Sequence, residues 1–393
     1  MTSKCIFCTK DLSPGSEEHV FLSALGGRLI TRHATCVECN NDFAKSEFGK
    51  IDDALAEAFL QIRCALLIRT GRDQPPPTVL RAGRIPDGPE YDLAPGMVPI
   101  SRAALVPDFG SIKGGSVTVS ARDEKDAKRI LDIAKRRGLS PTLQKAESVI
   151  TKVPWTTLSF AFDGTKVWRA IAKTALLGSC VLYGNEAIRT CSDVELRRSV
   201  KVGDPEISNY AGWDYVNAWP TVVTARPHRR TPSAIPSSFD HSLMVANVGN
   251  DCIAYVELFG AFRFSLRMGQ ATGLEPRGIA LNPRTPGRLQ LSITAPVTYK
   301  PRHKHSLRDE ATESQAGLKD SVTKVFAAWD KESTHQHIME LGEELQTQIA
   351  AAGSDEGIRN SVVAEWAAKI TQLELGNAWR TELNTEFIDD EPA

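Results

Sequence analysis

Two Cys-x-x-Cys pairs, Cys5/Cys8 and Cys36/Cys39, have the residue type and the spacing of a metal site. Four thiolates in two close pairs can complete a tetrahedral shell around one Zn²⁺, because the two-residue spacing lets each turn present both sulfurs to the same ion. Such a shell leaves no open position for a substrate. We therefore predict a structural zinc knuckle, with any catalysis performed by the residues that the knuckle positions.

The residues between and after the two pairs are suited to hydrolysis. Glu17, Glu18 and His19 lie between the pairs, and Asn40 and Asn41 follow the second pair directly. Phosphodiester hydrolysis needs a base for the attacking water and a cation for the charge that develops on the phosphate. Histidine suits the base because its ordinary pKa is near neutrality. Carboxylate and amide oxygens favour Mg²⁺ or Mn²⁺, whereas thiolates favour Zn²⁺.

The order of these motifs, which read CIFC, EEHVFLSALGG and CVECNNDF, resembles the zinc-knuckle branch of the HNH (His-Asn-His) endonucleases. The resemblance implies a ββα-metal module in which a hairpin and a helix hold one divalent cation. By position it implies His19 as the general base, Glu18 as a metal ligand, and Asn40 at the place of the last metal-binding His or Asn. The middle Asn of the family pattern is absent, and His33 is the only side chain in that segment able to do comparable work.

Several of these residues also have a purely structural interpretation. Asn40 or Asn41 could cap the N-terminus of the helix that follows, which is as well supported as metal ligation. His33 could be an ordinary surface residue. Gly26 and Gly27 are best explained as the turn of the hairpin, where a positive φ is needed.

Length and charge divide the chain. At 393 residues it exceeds what one hydrophobic core usually serves. Residues 101–304 contain 29 Lys+Arg against 17 Asp+Glu, whereas residues 305–393 contain 7 against 18. We predict an α+β fold with four segments, at 1–73 (HNH-type module), 74–112 (a Pro- and Gly-rich connector), 113–304 (a basic mixed α/β domain) and 305–393 (an acidic helical segment).

Apolar periodicity predicts the main elements of the chain. It indicates a helix or helix pair between Phe43 and Leu66, a helix over Asp123–Arg137 that stops at Gly138, and a largely apolar helix over Val167–Tyr183. An antiparallel meander with one apolar and one polar face is predicted around the turn at Gly249. Further predictions are three apolar helical stripes after residue 305, a strand at Val117 and Val119, and an extended stretch over 148–162.

The location and the partners follow from composition. No signal peptide precedes Cys5, and the longest apolar stretch, Thr174–Tyr183, is too short to cross a bilayer, so we expect a cytoplasmic protein without membrane contact. The basic middle segment is the candidate surface for DNA. Arg263 and Arg267 on one face of the meander could contact nucleic acid or simply face solvent.

We therefore predict a metal-dependent DNA endonuclease with structural Zn²⁺ and catalytic Mg²⁺ or Mn²⁺, plausibly in defence against foreign DNA. The alternative is a catalytically inactive zinc knuckle that binds nucleic acid or protein. The C-terminal helices could dock on the rest of the chain, join two copies of it, or bind a partner protein.

Overall fold

The fold is known from a computed structural model. It describes residues 4–8, 10–12, 16–43, 45, 50–84, 90–102, 124–140, 162, 164–203, 205–215, 221–227, 239–285, 288–294 and 307–378. The predicted strand at Val117 and Val119 lies outside these residues, as does the extended stretch before Phe162.

The N-terminal segment contains a small hairpin and a helix. Strands β1 (Glu18–His19) and β2 (Ile30–Thr31) pair antiparallel, and α1 (Val37–Asp42) follows. Gly26 adopts a φ of 85° at the end of a short 3-10 helix, as predicted for the turn. A side chain on Gly27 would collide with the backbone carbonyl of Phe21. The two glycines therefore allow the loop to fold back closely on β1.

Two helices and a second sheet come next. Helices α2 (Ile51–Ala58) and α3 (Leu60–Ala65) form the predicted pair. Strands β3 (Val79–Arg84), β4 (Glu90–Ala94) and β5 (Val98–Ser101) form an antiparallel sheet within the predicted connector. The Pro and Gly content did not predict these strands. They form because Tyr91 and Leu93 bury their side chains against Cys64 of α3.

The described residues between 124 and 203 include four helices. Helix α4 (Glu124–Arg136) ends before Gly138, which has a φ of 78°, as the sequence predicted. Helix α5 (Gly164–Tyr183) is the predicted apolar helix, and it contacts α2, the sheet described next, and helices α6 (Asn185–Cys191) and α7 (Val194–Val202). Thirteen of its residues are buried, so α5 is the central helix of the core.

A seven-stranded antiparallel sheet packs against α5. Its strands are β6 (Ala211–Trp213), β7 (Thr221–Pro227), β8 (His241–Val248), β9 (Asp251–Leu258), β10 (Phe262–Gln270), β11 (Arg277–Leu281) and β12 (Arg288–Thr294). Their order across the sheet is β6-β10-β9-β8-β11-β12-β7. The predicted meander is β8-β9-β10.

The prediction that this meander has one polar face is wrong. Phe262, Phe264 and Leu266 are fully buried on one face of β10, but Ser265 on the other face is fully buried as well. Next to it, the second face of the sheet has its own apolar cluster, which includes Met244, Tyr255 and other residues of β8, β9, β11 and β12. Both faces of the sheet are therefore covered over part of their area.

Residues 307–378, the described part of the C-terminal segment, form two helices. Helix α8 (Leu307–Ala351) is 45 residues long and contains the first two predicted apolar stripes, and α9 (Glu356–Ala378) contains the third. Leu318, Val322 and Val325 of α8 are buried in the main core. The chain is thus α+β, with antiparallel sheets and C-terminal helices. This confirms the predicted fold class, whereas the ββα-metal module stays a prediction.

One apolar core joins the segments. A single cluster of buried residues extends from Cys5 and Phe43 through α5 and the sheet to Phe326. The boundaries of the four predicted segments stay predictions. Among the described residues, no helix combines the length and the apolar composition that a bilayer span requires.

Candidate active site and zinc knuckle

The four predicted zinc ligands meet at one place. The sulfurs of Cys5, Cys8, Cys36 and Cys39 all lie within 4.8 Å of one another, and those of Cys8 and Cys36 are 3.7 Å apart. Four sulfurs around Zn²⁺ at about 2.3 Å would be separated by about 3.8 Å. Three of the four cysteines are buried. The donor set and its spacing therefore fit a tetrahedral zinc ion.

Two side chains of α6 bind the backbone of the knuckle. Arg189 Nη1 donates hydrogen bonds to the carbonyls of Cys5 and Cys8, the latter at 3.2 Å. Asn185 Nδ2 donates to the carbonyls of Lys4 and His33, at 2.5 and 3.0 Å. Sequence reasoning missed both residues. Their hydrogen bonds attach the cysteine loops to the centre of the chain.

His19 lies on β1 with its ring half-buried. Burial lowers the pKa of His19, opposed by hydrogen bonding to the backbone of Gly27, and the nearby Arg72 guanidinium lowers it further. The ring packs close to Gly71. Its Nδ1 atom is buried and has no hydrogen-bond partner among the described residues. The lowered pKa of His19 therefore favours the neutral form of its ring at pH 7.

Glu18 forms an ion pair that the sequence did not predict. Its side chain is buried, and Oε1 lies 2.9 Å from Nζ of Lys173 on α5. The same ammonium lies 2.9 and 2.7 Å from the two carboxylate oxygens of Asp52 on α2. It also lies 4.7 Å from the centre of the Phe43 ring. One buried ammonium therefore neutralises two carboxylates only in part.

The electrostatics of this group follow from burial and from its excess negative charge. Burial raises the pKa of Glu18, and the Lys173 ammonium opposes the rise while the Asp52 carboxylate adds to it. Burial alone would lower the pKa of Lys173, but the carboxylates of Asp52 and Glu18 outweigh it and raise that pKa. Lys173 is therefore charged at pH 7. Glu18 Oε2 is buried without a hydrogen-bond partner among the described residues.

Asn40 lies within α1, close to β1. Its Nδ2 atom donates to the carbonyl of Glu17 at 2.6 Å, so its amide oxygen remains available as a ligand. The alternative that Asn40 or Asn41 caps a helix is wrong, because both lie inside α1, Cys36 is its N-cap, and α2 begins after Lys50.

His33 lies in the loop between β2 and α1. Its ring is exposed, and its backbone carbonyl is the acceptor for Asn185. The structure therefore brings Glu18, His19 and Asn40 to the hairpin and α1 and leaves the ring of His33 at the surface. The chemical roles assigned to these four residues stay predictions.

The two arginines predicted as possible nucleic-acid contacts have acidic partners. Arg263 Nε lies 3.0 Å from Glu257, and Arg267 lies 2.8 Å from Asp251 and 3.1 Å from Asp193. Much of their charge is therefore matched within the chain, which favours the interpretation as an ordinary surface of the meander.

The N-terminal segment is similar to a known protein family. Residues 5–60 match the family described as HNH endonuclease. The predicted resemblance is confirmed, and we refer to residues 5–60 as the HNH segment. No curated protein and no solved structure matches the chain. The match suggests nuclease activity on nucleic acid for the HNH segment.

Proposed function

We propose that the chain is a metal-dependent endonuclease that hydrolyses DNA phosphodiester bonds, with His19 as the general base and the four-cysteine cluster holding structural Zn²⁺. Glu18 and Asn40 would hold a catalytic Mg²⁺ or Mn²⁺. The observation that carries the proposal is His19, which lies in the HNH segment with a lowered pKa and with an Nδ1 atom that has no hydrogen-bond partner among the described residues.

Four residues of the chain would have separate roles in this reaction. His19 accepts a proton from the attacking water, for which its neutral form is required. Arg72, exposed beside His19, offers a guanidinium to a phosphate oxygen. When bound, the divalent cation stabilises the negative charge that develops on the phosphate. Glu18 Oε2 and the amide oxygen of Asn40 are hard donors without another described role, which suits such an ion.

The wider biological assignments belong to the same proposal. The exposed Lys135, Arg136 and Arg137 at the end of α4 are candidates for sequence-independent DNA contacts. Foreign DNA as the target, a role in defence, and a cytoplasmic location are extensions of the proposal. Contacts of α8 and α9 with a second copy or a partner protein are a further extension.

The second candidate function is a catalytically inactive module that only binds nucleic acid or protein. One observation favours it: the Lys173 ammonium already contacts Glu18, and the Glu18 side chain is only 7% exposed. An ammonium and a metal ion compete for the same carboxylate unless each takes a different oxygen.

A nicking assay on supercoiled plasmid separates the two candidates. The proposal expects cleavage by the zinc-loaded protein in Mg²⁺ or Mn²⁺, and none after EDTA treatment followed by restoration of zinc alone. An RNA substrate assayed in parallel tests the choice of DNA. Plasmid binding without metal-dependent cleavage would support the inactive module instead.

A further inference from the structure

The buried contact between Lys173 and Glu18 joins the HNH segment to a helix outside it. Lys173 lies on α5, and its side chain is 4% exposed. An ammonium has three donors, and here the acceptors are Oε1 of Glu18 and both carboxylate oxygens of Asp52. Burial of a charged ammonium without hydrogen-bond acceptors costs much free energy. The carboxylate oxygens of Glu18 and Asp52 therefore explain why Lys173 can be buried.

Asp52 alone would be a sufficient partner for Lys173. It contacts Nζ with both of its oxygens and is itself 28% exposed. Glu18, by contrast, contacts Nζ with one oxygen only, and its other oxygen is buried without a hydrogen-bond partner in the described part of the chain. A purely structural buried ion pair is stable only when its remaining lone pairs are satisfied. The bare Oε2 atom therefore indicates a partner that the described residues do not supply.

We infer that Lys173 is a positioning residue that holds Glu18 by Oε1 and so presents Oε2 to a divalent cation. The inference rests on the proposed function, and it extends the site beyond residues 5–60 to the central helix. In metal sites, partners that fix the orientation of a ligand commonly change metal affinity by about 10- to 100-fold when they are removed. Lys173 would act in this way on the HNH segment.

The same helix provides a matched control. Arg169 is also a buried cation of α5, and it donates hydrogen bonds to the backbone carbonyls of Val200 and Lys201, each at 3.1 Å. Its replacement should lower stability without touching Glu18. Comparing Lys173→Met with Arg169→Met therefore separates an effect on the cation site from a general loss of packing.

The test is calorimetric titration of the full-length, zinc-loaded protein with Mn²⁺, together with plasmid nicking. We expect wild type and Arg169→Met to bind one Mn²⁺ with similar affinity, Glu18→Gln to lose this binding, and Lys173→Met to bind at least about tenfold more weakly. Wild-type affinity in Lys173→Met would overturn the inference and leave Lys173 a structural residue. Tighter binding would also overturn it, because Lys173 would then be a competitor of the metal.

A second pair of variants applies if Lys173→Met does not fold. Asp52→Asn combined with Lys173→Met removes one negative and one positive charge, so the net charge of the buried group is unchanged. Relative to Asp52→Asn alone, the double variant should again bind Mn²⁺ at least about tenfold more weakly, and equal affinities would overturn the inference. Failure of the proposed function has a different signature, namely a wild-type protein that does not nick plasmid at any Mn²⁺ concentration.

Discussion

His241 Nε2 donates a hydrogen bond to the backbone carbonyl of Leu25, 2.9 Å away, although the two residues are 216 positions apart in the chain. The Nδ1 atom of the same ring accepts the backbone N–H of Phe259 at 3.1 Å. One neutral tautomer satisfies both bonds. The His241 ring also stacks on Phe21, so it fixes the loop after β1 to the seven-stranded sheet.

Acidification should weaken the fold through His241. Burial lowers the pKa of His241 from 6.5 to about 4, so the unfolded chain binds more protons than the folded chain between these values. The neutral His241 ring makes its full contribution to the free energy of unfolding above pH 6.5. This contribution falls as the pH decreases towards 4, and the total loss is about 3 kcal/mol. Urea unfolding from pH 7.5 to 4.5 measures this loss.

The His241→Gln variant is the comparison for this prediction. It should be less stable than wild type at pH 7.5, and its stability should fall less on acidification because residue 241 no longer titrates. Acid also protonates the zinc thiolates, but that effect is common to both proteins. Identical pH dependence in the two proteins would show that His241 does not cause the loss.

Removal of zinc should unfold the HNH segment. A hairpin of two-residue strands and a six-residue helix buries little apolar surface by itself, and structural zinc supplies on the order of 10 kcal/mol. Elemental analysis should find one zinc per chain in wild type and none in Cys36→Ser. Cys64→Ala is the control, because Cys64 is buried outside the cluster and should keep the full equivalent. A wild-type preparation well below one equivalent, never exposed to chelator, would contradict the prediction.

Arg189 should stabilise the zinc knuckle. Arg189→Ala leaves the carbonyls of Cys5 and Cys8 without their donor, which should cost about 1–3 kcal/mol and accelerate zinc loss to a chelator. Arg198→Ala removes an arginine of α7 that is 64% exposed and paired with Glu195 of the same helix. This control should change stability by less than about 0.5 kcal/mol. Equal rates of zinc release from both variants would exclude the role of Arg189.

The cysteine spacing and the apolar periodicity predicted the parts of this protein that depend on local sequence. They predicted the four-cysteine cluster, the hairpin glycines, α4, α5 and the meander. The sequence did not predict the partners of Glu18, because a lysine within an apolar helix indicates a buried cation without indicating which distant carboxylate it meets. Lys173 and Arg169, which lie in the largely apolar part of α5 from Val167 onwards, were the available signal.

The strands β3 to β5 were missed for a different reason. Prolines and glycines dominate residues 74–112, and they hide the short alternation of Tyr91 and Leu93. The buried second face of the large sheet was missed because it depends on two strands outside the meander. Strand β11 pairs with β8 over a long separation in the chain, and β12 pairs with β11.

Replacement of His19 should abolish cleavage while leaving the fold intact. A general base contributes on the order of 10² to 10⁴ in rate, so His19→Ala should lose this factor in single-turnover nicking. Its zinc content and DNA affinity should match wild type. His335→Ala replaces an exposed histidine of α8 and should cleave normally. Wild-type rates in His19→Ala would remove the proposed mechanism, and His33→Ala assayed in parallel tests the predicted role of His33.

The acidic C-terminal helices should weaken indiscriminate DNA binding, but only their distal part can be removed to test this. The first part of α8 belongs to the core, since Leu318, Val322 and Val325 are buried and Ser321 donates to the carbonyl of Ala261 at 2.8 Å. Truncation after residue 304 should therefore give an insoluble or molten protein. This outcome would follow from lost packing and would carry no information about charge.

Truncation after His335 avoids that problem. It removes the contact between α8 and α9, which is lined by Leu341, Leu345, Val362 and Trp366, and deletes 3 Lys+Arg against 12 Asp+Glu. Because the truncated chain carries less negative charge, non-specific DNA binding should tighten and its dependence on salt should steepen as more phosphate contacts form. Fluorescence anisotropy with a duplex at several salt concentrations measures both. A folded truncation with unchanged affinity and slope would exclude electrostatic screening by the distal helices.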